Sequence, residues 1–184
     1  KVCNTHLIID NKGDIKAVYR KIHLFKVDIP NGPCLDEGKS TDAGDEIIVC
    51  DTPIGRLGLS TCYDVRFPQL YQRLREKGAE ILLVPSAFTL MTGKDQWDPL
   101  LQARAIENQC WVIAAAQYGQ HNPKRRTYGR SLIIDPWGTK VACCHDDAPR
   151  IITYDIALDM LERTRLNMPV FSHRRPDIYD GNSK

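Results

Sequence analysis

No stretch of the sequence is apolar over anything near the roughly 20 residues that a membrane-spanning helix needs. A marked excess of charge of one sign is missing too. The formal net charge is +2 at pH 7, with 25 Lys and Arg against 23 Asp and Glu, and the one basic run, at 124–126, is short. Neither a membrane nor a nucleic-acid partner is implied. No C-x-x-C pair occurs, which removes the usual zinc-ribbon and dithiol redox patterns. Internal repeats and low-complexity linkers are absent. So are an initiator Met and a signal peptide, and the first residues already read as strand. The natural protein is therefore expected to start upstream, with any targeting sequence in that part.

The 184 residues are 42% apolar and 26% charged, ordinary values for one soluble globular domain with a real core. Seven cysteines fall at 3, 34, 50, 62, 110, 143 and 144. The odd count and irregular spacing fit a reducing, cytoplasmic type of compartment, and a mitochondrial address would have to lie upstream. Most of these thiols are expected to be small buried apolar groups.

Periodicity predicts an α/β layer architecture. Residues 5–9 and 15–19, joined by the turn-forming cluster 10–14, read as a hairpin. Residues 26–45 read as a long loop. Strands are expected at 46–52 and 56–61, then a helix at 67–78 and a wholly apolar strand at 80–85. A helix at 95–109 has Asp95 as its expected N-cap, and a second buried strand follows at 111–117. The polar, basic stretch 118–130 reads as a loop, with Lys124, Arg125 and Arg126 solvated. A hairpin over 131–143, a last core strand at 150–155, a helix at 156–166 and an extended tail at 167–184 complete the reading. Trp97, Trp111 and Trp137 are expected as core or interface anchors.

Two residues draw attention for chemistry. Cys62 ends the strand Arg-Leu-Gly-Leu-Ser-Thr at 56–61 and precedes a helix. A thiol at such a turn is exposed at the end of a sheet, beside backbone N–H groups that can hold an oxyanion. Position alone leaves open whether it is a nucleophile or one more buried cysteine. Lys21 follows the first hairpin, and is either a solvated surface lysine or an ammonium that stabilises negative charge, a role typically worth about 3–4 kcal/mol.

The motifs around these two residues carry a resemblance. Tyr-Arg-Lys-Ile-His-Leu-Phe at 19–25 and Gly-Leu-Ser-Thr-Cys-Tyr-Asp-Val-Arg-Phe-Pro at 58–68 are similar to the lysine and cysteine motifs of the carbon–nitrogen hydrolase (nitrilase) family. The segments at 85–88, 103–110, 128–131, 135–138 and 169–177 fit the same family in order, so the likeness runs over essentially the whole chain. It is strongest to the family's Nit branch. The resemblance implies a single domain over 1–184, with an α-β-β-α sandwich incomplete at its N-terminus. It also implies a Glu–Lys–Cys triad in which Cys62 is the nucleophile and Lys21 the lysine, acting without metal or organic cofactor. The triad glutamate is expected upstream of Lys1, so these residues alone are expected to be weakly active or inactive.

A second active-site glutamate matches Glu37, with Asp28 as its rival and a solvated loop carboxylate as the plainer reading. The backbone N–H of Tyr63 would join Lys21 at the oxyanion. The implied substrate is a small linear ω-amide of the deaminated glutathione type, cleaved through a cysteine thioester. The implied partners are further copies of the chain, with a Fhit domain conceivable outside it. No H-x-H-x-H pattern occurs within it. Gln69, Asp98 within Gln96-Trp97-Asp98, and Arg130 depart from the family pattern, where Glu, His-Trp-Glu and His are usual. These departures touch substrate preference and packing. The alternatives are a non-catalytic interaction module and a papain-like hydrolase. The latter needs a histidine base, and the histidines at 6, 23, 121, 145 and 173 sit in no supporting motif. His23 reads as a loop or packing residue.

Overall fold

The structure is a computed structural model and describes residues 1–28, 34–123, 125–144 and 149–179. The chain opens with β1 (Val2–Cys3) and the hairpin β2 (Thr5–Ile9) and β3 (Ile15–Arg20), antiparallel with His6 opposite Tyr19. Where a long loop is expected, β4 (Lys26–Asp28) and β5 (Cys34–Asp36) pair antiparallel, a 3-10 turn spans Glu37–Lys39, and β6 (Thr41–Asp42) returns beside β1. Strands of two or three residues with exposed side chains leave too little period to be read from sequence.

Next come β7 (Val49–Thr52) and β8 (Gly55–Leu59), then a 3-10 turn at Cys62–Arg66 and the helix α1 (Pro68–Glu76). β9 (Ile81–Leu83), the helix α2 (Leu90–Asn108) and β10 (Trp111–Ala114) follow. The expected loop at 118–130 contains a second polar hairpin, β11 (Tyr118–Asn122) with β12 (Arg125–Tyr128). Lys124 lies outside the described residues, as does His145. β13 (Leu132–Ile134) and β14 (Lys140–Cys143) form the expected hairpin, and α3 (Leu158–Asn167) the expected helix. The tail is not wholly extended: it makes a 3-10 turn at Val170–His173 and one turn of helix, α4 (Pro176–Tyr179).

The main sheet has six strands in the order β14-β13-β10-β9-β8-β7. Its centre is parallel: β8 beside β9 and β9 beside β10, with α1 and α2 as the crossovers. Both faces of these strands are covered, which is why their sequences read as near-continuous apolar runs. Leu70, Tyr71, Leu74, Trp97, Leu101 and Ala105 cover one face. Tyr19 from the first hairpin and Leu161 from α3 cover the other, over Leu57, Leu59, Ile81 and Trp111. The expected α/β layering is therefore present, with α1 and α2 on one side of the sheet and the first hairpin, together with α3, on the other.

Further expectations change. The strand expected at 150–155 is not a strand. Ile151 is 93% exposed, while Ile152 and Ile156 lean on the second face and the Tyr154 ring lies 5.9 Å from that of Trp111. The segment covers the sheet's face rather than extending its edge. α2 begins at Leu90 after Thr89, so Asp95 lies inside the helix. Pro99 has no N–H to bond the Asp95 carbonyl four residues back, which makes the first turns look like a non-helical lead-in. Of the seven cysteines, all free, Cys50 and Cys110 are buried, whereas Cys3 and Cys34 are exposed and the other three lie between. Trp97 and Trp111 are core residues, but Trp137 is 61% exposed. Among the described residues no helix is long and apolar enough to cross a membrane.

The early start of α2 depends on Gly93. A Cβ there would overlap that of Tyr128 on β12 and lie 2.6 Å from its Cγ, at the rigid base of the ring. Gly93→Ala gains about 1 kcal/mol of helix propensity but forces α2 and β12 apart, and overpacking of this kind typically costs about 1–3 kcal/mol. A lower midpoint in urea unfolding is expected; an unchanged or higher one would show the contact to be slack.

Candidate active site

Open α/β sheets present their chemistry at the carboxyl ends of parallel strands, and Cys62 sits there, three residues past β8. Its N–H donates to the Pro85 carbonyl beyond the end of β9 at 2.9 Å. This bond pulls the chain out of the strand direction, and Cys62 takes φ +51. Left-handed backbone at a non-glycine residue stores of order 1 kcal/mol. Cys62 is also the first residue of the 3-10 turn, and α1 starts only at Pro68. The helix end beside the thiol is therefore that of the short turn. The N–H of Tyr63 takes no part in the turn's first hydrogen bonds, which begin with Asp64 N–H to Thr61 O, so it is left for another acceptor.

Lys21 is not a surface lysine: its side chain is 3% exposed. The N–H of Lys21 donates to Asn4 O and its carbonyl accepts from Gly44 N–H, both at 2.9 Å. The Nζ donates to Glu37 Oε2 at 2.5 Å. Phe25 N–H adds 2.8 Å to the same oxygen, and Asn4 Nδ2 reaches Oε1 at 3.2 Å. Burial pushes the Glu37 carboxyl up, but the bonds from Lys21, Phe25 and Asn4 outweigh it and hold the group below the usual carboxylate range. Of the two carboxylates weighed from sequence, Glu37 is the one at Lys21. Asp28 is exposed on β4.

The lysine and cysteine segments meet at Asp64, which is fully buried. Tyr19 Oη donates to Oδ2 at 2.6 Å, and Thr61 N–H donates to the same oxygen at 2.8 Å. His23 gives Oδ1 both its backbone N–H, at 3.1 Å, and its ring Nδ1, at 2.8 Å. A carboxylate only accepts, so Nδ1 carries the hydrogen. Burial, and then the Asp64 charge, hold the Tyr19 phenol well above its ordinary value, so its hydroxyl stays a donor. The His23 ring stacks on Phe67, with centroids 3.7 Å apart and planes 6° apart. This matches the packing role expected for it. Sequence reasoning missed Asp64 and Asn4. The only signal for Asp64 in the sequence is a carboxylate two residues beyond the cysteine and next to the apolar Val65. Among the described residues no group of three or more His, Cys, Asp or Glu side chains is placed to hold a metal ion.

Residues 1–166 match the carbon–nitrogen hydrolase family, and the chain belongs to it. The chain is 54% identical over 179 residues to a deaminated glutathione amidase of Dictyostelium discoideum, covering 97% of this chain and 62% of that protein. It is 48% identical to the human deaminated glutathione amidase, covering 97% of this chain and 55% of that one. In solved structures it resembles the Caenorhabditis elegans NitFhit protein, with a TM-score of 0.88 at 53% identity, covering 96% of this chain and 43% of that one. Saccharomyces cerevisiae Nit3 gives 0.82 at 31% identity, covering 94% and 60%. The chain thus spans less than two thirds of the length of these relatives.

Because the folded Glu37 value lies below its unfolded one, the pair's stabilisation is fully present above the ordinary carboxylate range. It is lost as pH falls through the depressed folded value. Removing one partner of a buried pair typically costs about 3–5 kcal/mol, and Lys21 is the buried member. Glu37→Ala is therefore expected to lower unfolding free energy by about 3 kcal/mol at neutral pH, with the gap to wild type closing on acidification. Urea unfolding across that pH range checks it, and a gap independent of pH would refute the pairing.

Proposed function

We propose that the chain carries the nucleophile and the lysine of an amidase that cleaves a small linear amide through a cysteine thioester. The observation that supports this most is the placement of Lys21: an ammonium shut away from water, held by Glu37 at 2.5 Å, and joined through Asp64 to the turn that presents Cys62. Burying a charge at a cost of several kcal/mol, when a solvated lysine would serve packing equally well, makes sense where the charge has work to do.

On this reading the Cys62 thiolate attacks the carboxamide carbon. The carbonyl electrons move to oxygen, and the oxyanion is held by the Lys21 ammonium and the N–H of Tyr63. The C–N bond then breaks, nitrogen leaves as ammonia after taking up a proton, and the acyl group stays on sulfur. Water adds to the thioester carbon and releases the carboxylic acid and the thiol. Glu37 orients Lys21 and assists proton transfer.

The names of the relatives point to a deaminated glutathione-like ω-amide as substrate, and the NitFhit relatives to a Fhit domain as partner. In the complete protein, Cys62→Ala is expected to reduce ammonia release from such an amide to background while leaving the fold intact. Iodoacetamide is expected to label Cys62 ahead of the exposed Cys3 and Cys34. Turnover that survives the substitution, or labelling led by Cys3 and Cys34, would instead favour a non-catalytic interaction module.

A further inference from the structure

Lys21 and Cys62 belong to different layers. Lys21 follows β3 of the second β layer, and Cys62 follows β8 of the main sheet. Between the layers lie apolar contacts such as those of Tyr19 with the Leu57 and Leu59 cluster, and apolar packing alone is non-directional. Asn4, Gly44 and Glu37 fix Lys21 within its own layer. Among the described residues two polar links cross to the cysteine turn. One is His6 Nδ1 with Ser60 O at 3.1 Å. The other is the four-donor cluster on Asp64, whose donors come from positions 19, 23 and 61. They lie within two residues of Lys21 on one side and one residue of Cys62 on the other. Ile22 N–H reaches the same cluster through Tyr19 Oη at 3.3 Å.

We infer that Asp64 is a positioning residue: its carboxylate sets the lysine strand and the cysteine turn in one register, so that ammonium and sulfur face the same carbonyl. This inference rests on the amidase reading above. A carboxylate suits the task because all four partners are donors and its two oxygens have room for all of them. Asp64 and the bonds from Tyr19 and Thr61 are buried, so sliding one layer past the other would strand polar groups away from water, each costing about 1–3 kcal/mol. The constraint is directional where the apolar packing is not. An amide of the same size cannot replace it, since its NH2 would face donors.

The test is steady-state hydrolysis of a short monoamide of a dicarboxylic acid by the complete protein, with rates expressed per titrated reactive thiol so that misfolded enzyme does not count. Misplacement by about 1 Å typically costs 10²-fold, so Asp64→Asn is expected to lower kcat by about 10²-fold with KM little changed. Tyr19→Phe removes one of the hydrogen bonds to the charge and is expected to lower kcat by about tenfold. The double variant is expected to be no slower than Asp64→Asn alone, because both changes break the same link. Wild-type kcat in Asp64→Asn or in Tyr19→Phe, beside an inactive Cys62→Ala, would overturn the positioning role and leave the amidase reading standing. If Asp64→Asn does not fold, Tyr19→Phe decides alone. Activity that survives in Cys62→Ala removes the amidase reading itself, and with it anything for Asp64 to position.

Discussion

An ammonium that water cannot reach governs the N-terminal third of the molecule. Lys21 is 3% exposed, and a charge so placed costs several kcal/mol unless it is matched. Glu37 matches it, and the match has consequences of its own. The remaining lone pairs of Glu37 require donors, which Phe25 N–H and Asn4 supply. For Glu37 to reach Lys21, the chain after β5 must turn back, and it does so in the 3-10 turn Glu37–Lys39, whose N-cap Asp36 accepts from Gly38 N–H at 3.1 Å. β6 then pairs with β1 beside Asn4. Strands of two or three residues have no stability of their own. They persist here because they enclose one ion pair.

The cysteine side is built the opposite way, from a rigid apolar sheet with strain at its edge. β8 and β9 are parallel and buried, so their ends are fixed within a close-packed core. Cys62 is held in left-handed backbone by the bond from its N–H to Pro85 O. Such strain persists only where surrounding structure enforces it. One side of the site is thus positioned by electrostatic need and the other by packing, and Asp64 is where the two kinds of order touch.

That division explains what the sequence reveals and what it conceals. The elements that pack were legible: the hairpin of β2 and β3 from its turn-forming cluster, the apolar runs of β9 and β10, and the helical stripe of Trp97, Leu101 and Ala105 in α2. So were Cys62 and Lys21 as residues of interest. Their motifs, however, and not any period, carried the argument beyond an open choice. The elements organised around charges were not legible. β4, β5 and the hairpin β11–β12 present polar side chains on exposed faces, and their pairing leaves little hydrophobic trace. Glu37 was preferred to Asp28 only through its motif, because proximity in sequence says nothing about which carboxylate a fold returns to a lysine. Asp64 passed as part of a motif, since a buried carboxylate is recognisable only from the donors around it. The segment 150–155 failed in the reverse sense. Its apolar residues are real contacts, but with the face of the sheet, and composition does not separate a strand from a strap laid across one.

The same logic recasts two of the departures from the family pattern. Taken from sequence, Asp98 in place of Glu and Arg130 in place of His are separate oddities. In the fold they are bonded partners: Arg130 Nε donates to Asp98 Oδ1 at 2.9 Å and to Oδ2 at 3.0 Å, and Lys140 Nζ adds 3.0 Å to Oδ2. Arg130 is held at φ +66 by Trp97 Nε1, which donates to its carbonyl at 2.8 Å. Trp97 itself is fully buried. The two residues therefore form one contact between α2 and the β12–β13 joint, and the partners of Lys21, Glu37 and Asp64 are not part of it. At these two positions the question of packing raised by the sequence concerns how one helix is fastened to the sheet beside it.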